Sequence, residues 1–167
     1  SEVLNKTLLV GADISNRVFV LDASTGERLW HADVDPFPLA RSTGSPIVSG
    51  NTIYVPVSSI EVAVAGNPQY ECCQFRGNLA AFDLNTGEKL WHTYIMDEAQ
   101  LVGNNSAGRR VYAPSGAPIW DTPTVDVKRK RVYAGTGQNY TRPASATSDS
   151  IIAFDMDTGA IDWVQQT

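Results

Sequence analysis

The chain has 167 residues, 43% of them hydrophobic and 9% aromatic, enough for a substantial core within one domain. A formal net charge of −5, with no basic run longer than Lys128-Arg129-Lys130-Arg131, argues against a nucleic-acid partner. No apolar stretch approaches the length of a membrane span. The sequence opens on Ser1-Glu2 rather than Met and enters a strand almost at once. It is therefore expected to be an excerpt of a longer protein, and its lack of a targeting segment carries no information.

Helix signals are scarce, and short strands bounded by Gly, Asn, Pro and Asp recur from end to end. Thr7–Val10 and Arg17–Leu21 open the series. Leu21-Asp22-Ala23-Ser24-Thr25-Gly26, ending at Trp30, then reads as a β-hairpin. Its Asp folds a carboxylate back onto backbone N–H groups, and its Gly takes the positive φ of the turn. Ser45–Val48 and Thr52–Val55 predict another hairpin, through Gly50-Asn51. Asn78–Phe82 leads into a second copy of the phrase, Phe82-Asp83-Leu84-Asn85-Thr86-Gly87, ending at Trp91. Thr122–Asp126 and Arg131–Ala134 resemble the Ser45–Val55 hairpin, with the basic tetrad as a solvated turn. Ser150–Phe154 delivers the third copy, Phe154-Asp155-Met156-Asp157-Thr158-Gly159, ending at Trp163.

Internal repetition decides architecture ahead of local propensity. Three of the four Trp residues share one phase, where each is expected to anchor its unit on a neighbour. The intervals from Trp30 to Trp91 and from Trp91 to Trp163 exceed the ~40–50 residues of common propeller blades. Long loops are therefore inserted at Ser58–Arg76, Asp97–Ile119 and Gly135–Asp149, and loops of that length in a compact repeat fold tend to carry function. The predicted fold is all-β: about two to three four-stranded blades of an open, partial β-propeller spanning residues 1–167, with the loops on one face. So few blades cannot close a ring, which again implies an excerpt.

The loops hold the candidate chemistry. Cys72 and Cys73 are adjacent, with Cα atoms ~3.8 Å apart across a trans peptide, below the usual disulfide window. Two states stay open, a pair of reduced thiols and a rare vicinal disulfide, and cysteine usage does not fix the compartment. Glu61 lies in the apolar run Ile60–Ala65 and calls for a partner: a metal ion, an Arg such as Arg76, or water. Trp120, the one Trp out of phase, follows the small-residue stretch Ser115–Ile119; it is either a stacking plate for a planar ligand or ordinary core. Gly135-Thr136-Gly137-Gln138-Asn139 follows a strand and offers side-chain oxygens, but no helix follows it, so a Rossmann phosphate loop is excluded. His31 and His92 each follow a repeat Trp, which implies a strand-exit role rather than catalysis. Two separated His and one Cys pair lack zinc-ligand spacing, and no Gly-x-Ser-x-Gly elbow supports a Ser-His-Asp triad.

These stretches resemble the quinoprotein alcohol dehydrogenases, which bind pyrroloquinoline quinone (PQQ) at the centre of an eight-bladed propeller. The resemblance is to their polyvinyl-alcohol dehydrogenase-like branch and covers nearly the whole chain. It is carried by Glu71-Cys72-Cys73-Gln74-Phe75-Arg76-Gly77, by Gly116-Ala117-Pro118-Ile119-Trp120, and by Tyr133–Tyr140 continuing to Ser148-Asp149-Ser150. It implies cofactor contacts at Thr43 and Ser58, an acidic calcium ligand at Glu61, and Trp120 as the floor under the quinone ring. The family's Asn ligand for calcium falls on Gln138 without gaps, with Asn139 one step on. Cys72-Cys73 resembles the vicinal disulfide that caps the quinone in methanol-oxidising relatives, although there the pair precedes the Thr and Glu positions.

The chemistry implied is oxidation of an alcohol, with a base taking the hydroxyl proton and hydride passing to the quinone C5 carbonyl under calcium polarisation. The family's base is an Asp expected beyond Thr167, so no catalytic residue is assigned within the chain and the excerpt alone is expected to be inactive. The resemblance also implies a periplasmic location and an electron acceptor such as a cytochrome c. The competing expectation is a non-catalytic propeller scaffold of the outer-membrane assembly type, which explains the repeats equally well.

Overall fold

The computed structural model describes residues 6–167; the opening Ser1-Glu2 lies outside them. The chain forms three antiparallel sheets and a protruding hairpin. The first sheet orders β1 (Leu8–Ala12), β2 (Arg17–Asp22) and β3 (Arg28–Asp33). The second is built on β6 (Thr52–Ser59), β7 (Asn78–Asp83) and β8 (Lys89–Tyr94), with β4 (Ala40–Arg41) and β5 (Ile47–Ser49) both pairing with β6. After the four-residue helix α1 (Glu61–Val64) and the hairpin β9 (Gln100–Asn104) with β10 (Arg110–Ala113), the third sheet runs β11 (Thr124–Asp126), β12 (Arg131–Gly135), β13 (Ser150–Asp155) and β14 (Ile161–Gln166). These are successive blades of an open, partial propeller.

The faces of the central blade explain its nearly continuous apolar sequence. Side chains alternate across a strand. Ile53, Val55, Val57, Ala80 and Phe82 pack with Val18, Val20 and Val34 of the first blade. Tyr54, Leu79 and Ala81 pack the other way, with Val132, Ala134, Ile152 and Phe154 of the third. Each Val, Leu, Ile or Phe among them, fully buried, is worth roughly 1.5–3 kcal/mol against exposure.

The three repeat phrases fold alike. Asp83 Oδ1 accepts from Asn85 N at 2.9 Å and Thr86 N at 2.8 Å, and Asp155 Oδ1 accepts from Asp157 N at 3.1 Å and Thr158 N at 2.9 Å. Bonds from Thr86 hold the Asp83 carboxyl below its ordinary range. Each copy carries a register shift just before its Asp, so Trp30, Trp91 and Trp163 stand opposite Val20, Ala81 and Ala153. Trp30 Nε1 donates to the Leu84 carbonyl at 2.9 Å and Trp91 Nε1 to the Met156 carbonyl at 3.1 Å, each within the repeat turn of the next blade. Trp163 instead packs at a tilt against Tyr133 of its own sheet and is 45% exposed, because no further repeat turn lies against it among the described residues.

Several expected boundaries move. β5 begins at Ile47 and β11 at Thr124, each after the proline of Ser45-Pro46 or Thr122-Pro123, where a residue without an N–H gives way to ladder pairing. β6 continues past Val55 to Ser59, and Pro56 lies opposite the gap between β4 and β5. His31 and His92 sit within β3 and β8, opposite Phe19 and Ala80, rather than at strand exits. In the basic tetrad, Arg129 pairs with Asp126, Lys130 with Asp157, and Arg131 with Asp155 and Asp162.

Candidate functional site

The inner edge of the central blade is interrupted, and the interruption holds Thr43. β4 and β5 lie end to end along β6, separated by the segment 42–46. Thr43 Oγ1 stands 2.8 Å from Ser58 Oγ and donates at 3.3 Å to the Trp120 carbonyl. Ser58 Oγ also lies 2.9 Å from the Arg41 carbonyl, so the two hydroxyls share two protons among three contacts and either oxygen can donate within the pair. Ser45 N adds a link to Thr122 Oγ1 at 3.2 Å. Three segments far apart in sequence thus bring Thr43, Ser58 and Trp120 together. Ser58 is fully buried beneath the exposed Thr43 and supports it from below.

Trp120 is not core. It is 38% exposed, and Gly137 underlies its indole. A Cβ at Gly137 would stand 2.6 Å from Trp120 Nε1 and 3.1 Å from Cδ1, while Gly137 N donates to the Pro118 carbonyl at 2.8 Å. The Gly135–Asn139 segment therefore serves here as a close backing for an aromatic plate.

Glu61 opens α1 and is completely buried. Main-chain amides and a phenol hold it, and the Arg76 guanidinium does not. Gln74 N donates to Oε1 at 3.0 Å and to Oε2 at 3.1 Å, Phe75 N to Oε2 at 2.8 Å, and Tyr70 Oη to Oε1 at 2.9 Å. Ser115 Oγ lies 3.5 Å from Oε2 but donates to the Phe75 carbonyl at 2.8 Å. Burial and the bond to Glu61 push the Tyr70 phenol above its ordinary pKa, so it remains a donor. Arg76, the expected counter-charge, lies 3.9 Å over the Tyr94 ring instead. Tyr70 and Ser115 were not legible as partners: neither has a local motif, and Ser115 reaches Glu61 from 54 residues away.

Cys72 and Cys73 form a vicinal disulfide across a cis peptide, which resolves the alternative left open by sequence. Cys73 is fully buried, and the Cys72 carbonyl accepts from Tyr112 N of β10 at 2.7 Å. Gln138 is exposed, and its carbonyl accepts from Ala117 N at 2.9 Å. Asn139 Nδ2 donates to Ser148 Oγ at 3.2 Å, whereas its Oδ1 is buried without a partner. Ser115 ties the two loops together, its hydroxyl donating to the Phe75 carbonyl at 2.8 Å and its carbonyl accepting from Tyr140 N at 2.8 Å. A carboxylate has about four lone-pair sites, and three protons, from Gln74 N, Phe75 N and Tyr70 Oη, reach the two oxygens of Glu61. Asn139 Oδ1, buried without a partner, suits a hard cation, whereas both oxygens of Glu61 already accept hydrogen bonds.

A second buried polar group lies outside this site. His92 Nε2 is 2.8 Å from Asn78 Oδ1, and Asn78 Nδ2 donates to Asp35 Oδ2 at 3.1 Å. Burial pushes the His92 pKa down to about 4, so at neutral pH its 3.5 Å approach to Asp35 is not an ion pair. The unfolded chain, with a His pKa near 6.5, binds the proton first as pH falls. Stability should be fully retained above about pH 6.5 and decline by up to about 3 kcal/mol toward pH 4. Denaturant titrations of wild type and His92→Gln should show this slope reduced in the variant.

The family model described as "Outer membrane protein assembly factor BamB" (PQQ_2) matches residues 2–167. The chain belongs to this PQQ-type propeller family. Within it, the chain is 44% identical over 96% of its length to polyvinylalcohol dehydrogenase of Sphingopyxis sp. (strain 113P3), and 38% identical over 93% to that of Pseudomonas sp.. It spans 25% and 24% of those two proteins, about a quarter of each. Quinohemoprotein alcohol dehydrogenase ADHIIG of Pseudomonas putida HK5 superposes with a TM-score of 0.72 at 20% identity, covering 96% of this chain and 25% of that one. The enzyme of Comamonas testosteroni gives 0.69 at 22% identity, covering 95% and 26%. At those identities the PQQ-family likeness in structure is one of fold. No helix among the described residues is long and apolar enough to cross a membrane.

Proposed function

We propose that this chain supplies the floor and part of the polar rim of a quinone site in a PQQ-dependent alcohol dehydrogenase. The observation that carries the reading is the junction of Thr43, Ser58 and Trp120, with Gly137 backing the indole. A part-exposed indole offers a planar cofactor a stacking surface. Thr43, held by Ser58 and the Trp120 carbonyl, presents a hydroxyl at the edge of that surface, so the contact geometry is set before a ligand arrives. PQQ, when bound, supplies the two-electron acceptance that these side chains lack. Cys72-Cys73 belongs to the same reading as a lid opposite Trp120.

Calcium enters the reading through the family resemblance, with Asn139 Oδ1 as the oxygen available to it, and no step is routed through it. Substrate is an alcohol, polymeric or secondary, in keeping with the polyvinylalcohol dehydrogenases the chain resembles. The acceptor is a cytochrome c or similar carrier, and the compartment is the periplasm. No residue of the segment is assigned the proton-accepting role.

A non-catalytic scaffold is the second reading, favoured by the description of the matching family model. An assembly scaffold gives no reason for an indole held half-exposed on a glycine beside a supported hydroxyl. The test uses the full-length protein carrying this chain. After incubation with PQQ and desalting, it should retain quinone absorbance, show quenched tryptophan fluorescence, and reduce a dye when alcohol is added. Loss of all quinone on desalting, with no alcohol-dependent dye reduction, would favour the scaffold.

A further inference from the structure

A wholly buried carboxylate with no ion-pair partner among the described residues is costly unless hydrogen bonds replace its hydration. At Glu61 that replacement comes mainly from one place. Gln74 and Phe75, whose N–H groups it accepts, directly follow Cys72-Cys73. Within the disulfide ring itself, the Cys72 carbonyl is held by Tyr112 N at 2.7 Å. The disulfide is therefore fastened at two points, by β10 at its own peptide and by Glu61 just after it. The Tyr70 hydroxyl adds a third donor to the carboxylate at 2.9 Å.

We propose that Glu61 is the positioning residue of the vicinal-disulfide turn, and that a divalent cation reaches its carboxylate only by displacing the donors that hold the turn. Carboxylate bonds to N–H groups are charge-assisted and about twice as strong as neutral ones. A carboxamide at this position offers one acceptor oxygen and presents N–H donors of its own to Gln74 and Phe75. Metal loading and the hold on the disulfide are thus alternative uses of one side chain.

The test is run on the full-length protein with chelator and without quinone, so failure of the quinone reading leaves it untouched. Reduction of Cys72-Cys73 by a water-soluble phosphine is timed by alkylation and mass spectrometry. Glu61→Gln should speed reduction about tenfold or more, the scale expected for lost charge-assisted bonds. Tyr70→Phe, which keeps the carboxylate and both backbone bonds, should give a rise of about threefold. A wild-type rate in folded Glu61→Gln would overturn the anchor role. If that variant does not fold, a wild-type rate in Tyr70→Phe would overturn it instead. In a second arm with calcium in place of chelator, calcium that accelerates reduction in wild type agrees with displacement; calcium that does not bind by calorimetry, or binds without raising the rate, refutes it.

Discussion

Gly137→Ala should lower quinone affinity about a hundredfold while leaving the protein folded. The added methyl would stand 2.6 Å from Trp120 Nε1 and 3.2 Å from Pro118 Cγ. The main chain at Gly137 has no positive φ, so alanine brings no backbone strain and the conflict is steric. Pro118 is fastened through its carbonyl to Gly137 N, whereas the indole is 38% exposed and free to swing outward. The plate therefore yields first. Overpacking of this kind costs roughly 1–3 kcal/mol in stability, but a plate displaced by about an ångström forfeits stacking geometry, and such misplacement can cost about 10²-fold. Trp120→Phe, which retains a ring but loses area, should fall between wild type and Gly137→Ala. Equilibrium titration of the full-length protein with PQQ, followed by tryptophan quenching, reads the effect. An unchanged dissociation constant in a stable Gly137→Ala protein would detach Trp120 from the cofactor.

Legibility of this fold follows how local each determinant is. The repeat turns could be read because their hydrogen bonds span two or three residues, from Asp83 to Asn85 and Thr86. β6 and β7 could be read as strands from their short apolar runs, but which residues face which neighbour could not, because both faces are buried and no alternation marks them. The interrupted inner edge was harder: Pro46 and Pro123 shift the strand starts, and Pro56 resembles a strand end until the gap opposite it is seen. At the site, Thr43, Ser58 and Trp120 could be nominated by family resemblance, but the bonds joining them cross 15 and 77 residues. Glu61 was correctly singled out as a carboxylate needing partners. Their identity was not legible, because main-chain N–H groups leave no mark in sequence. His92 shows the same limit. Its place after a repeat Trp gave no hint of Asn78 or Asp35, which reach it from neighbouring strands and loops.

Trp91→Ala should destabilise the protein by about 3–5 kcal/mol, the range for truncating a large packed aromatic. The indole lies between blades, 5.8 Å from the Tyr54 ring, with its Nε1 bonded to the Met156 carbonyl and its ring against Gly159. Thr93 Oγ1 fastens the same turn by donating to the Gly159 carbonyl at 2.8 Å. Gly159 has φ 73, and a Cβ there would stand 2.5 Å from Trp91 Cε3. Gly159→Ala thus combines left-handed strain of ~1–2 kcal/mol with overpacking of ~1–3 kcal/mol. The two substitutions should not add. Once Trp91 is Ala, the methyl at position 159 enters vacated space, and only the backbone strain and the contact with Thr93 persist. A double-mutant cycle by denaturant unfolding should therefore show a coupling within the ~0.5–3 kcal/mol range of touching residues, with the double variant less destabilised than the sum. Trp30→Ala with Gly87→Ala, built on the same contact at 2.7 Å, should reproduce the sign of the coupling. Additivity at both pairs would mean that the repeat Trp anchors its own blade rather than its neighbour, and the phrase would then encode a turn but not the angle between blades.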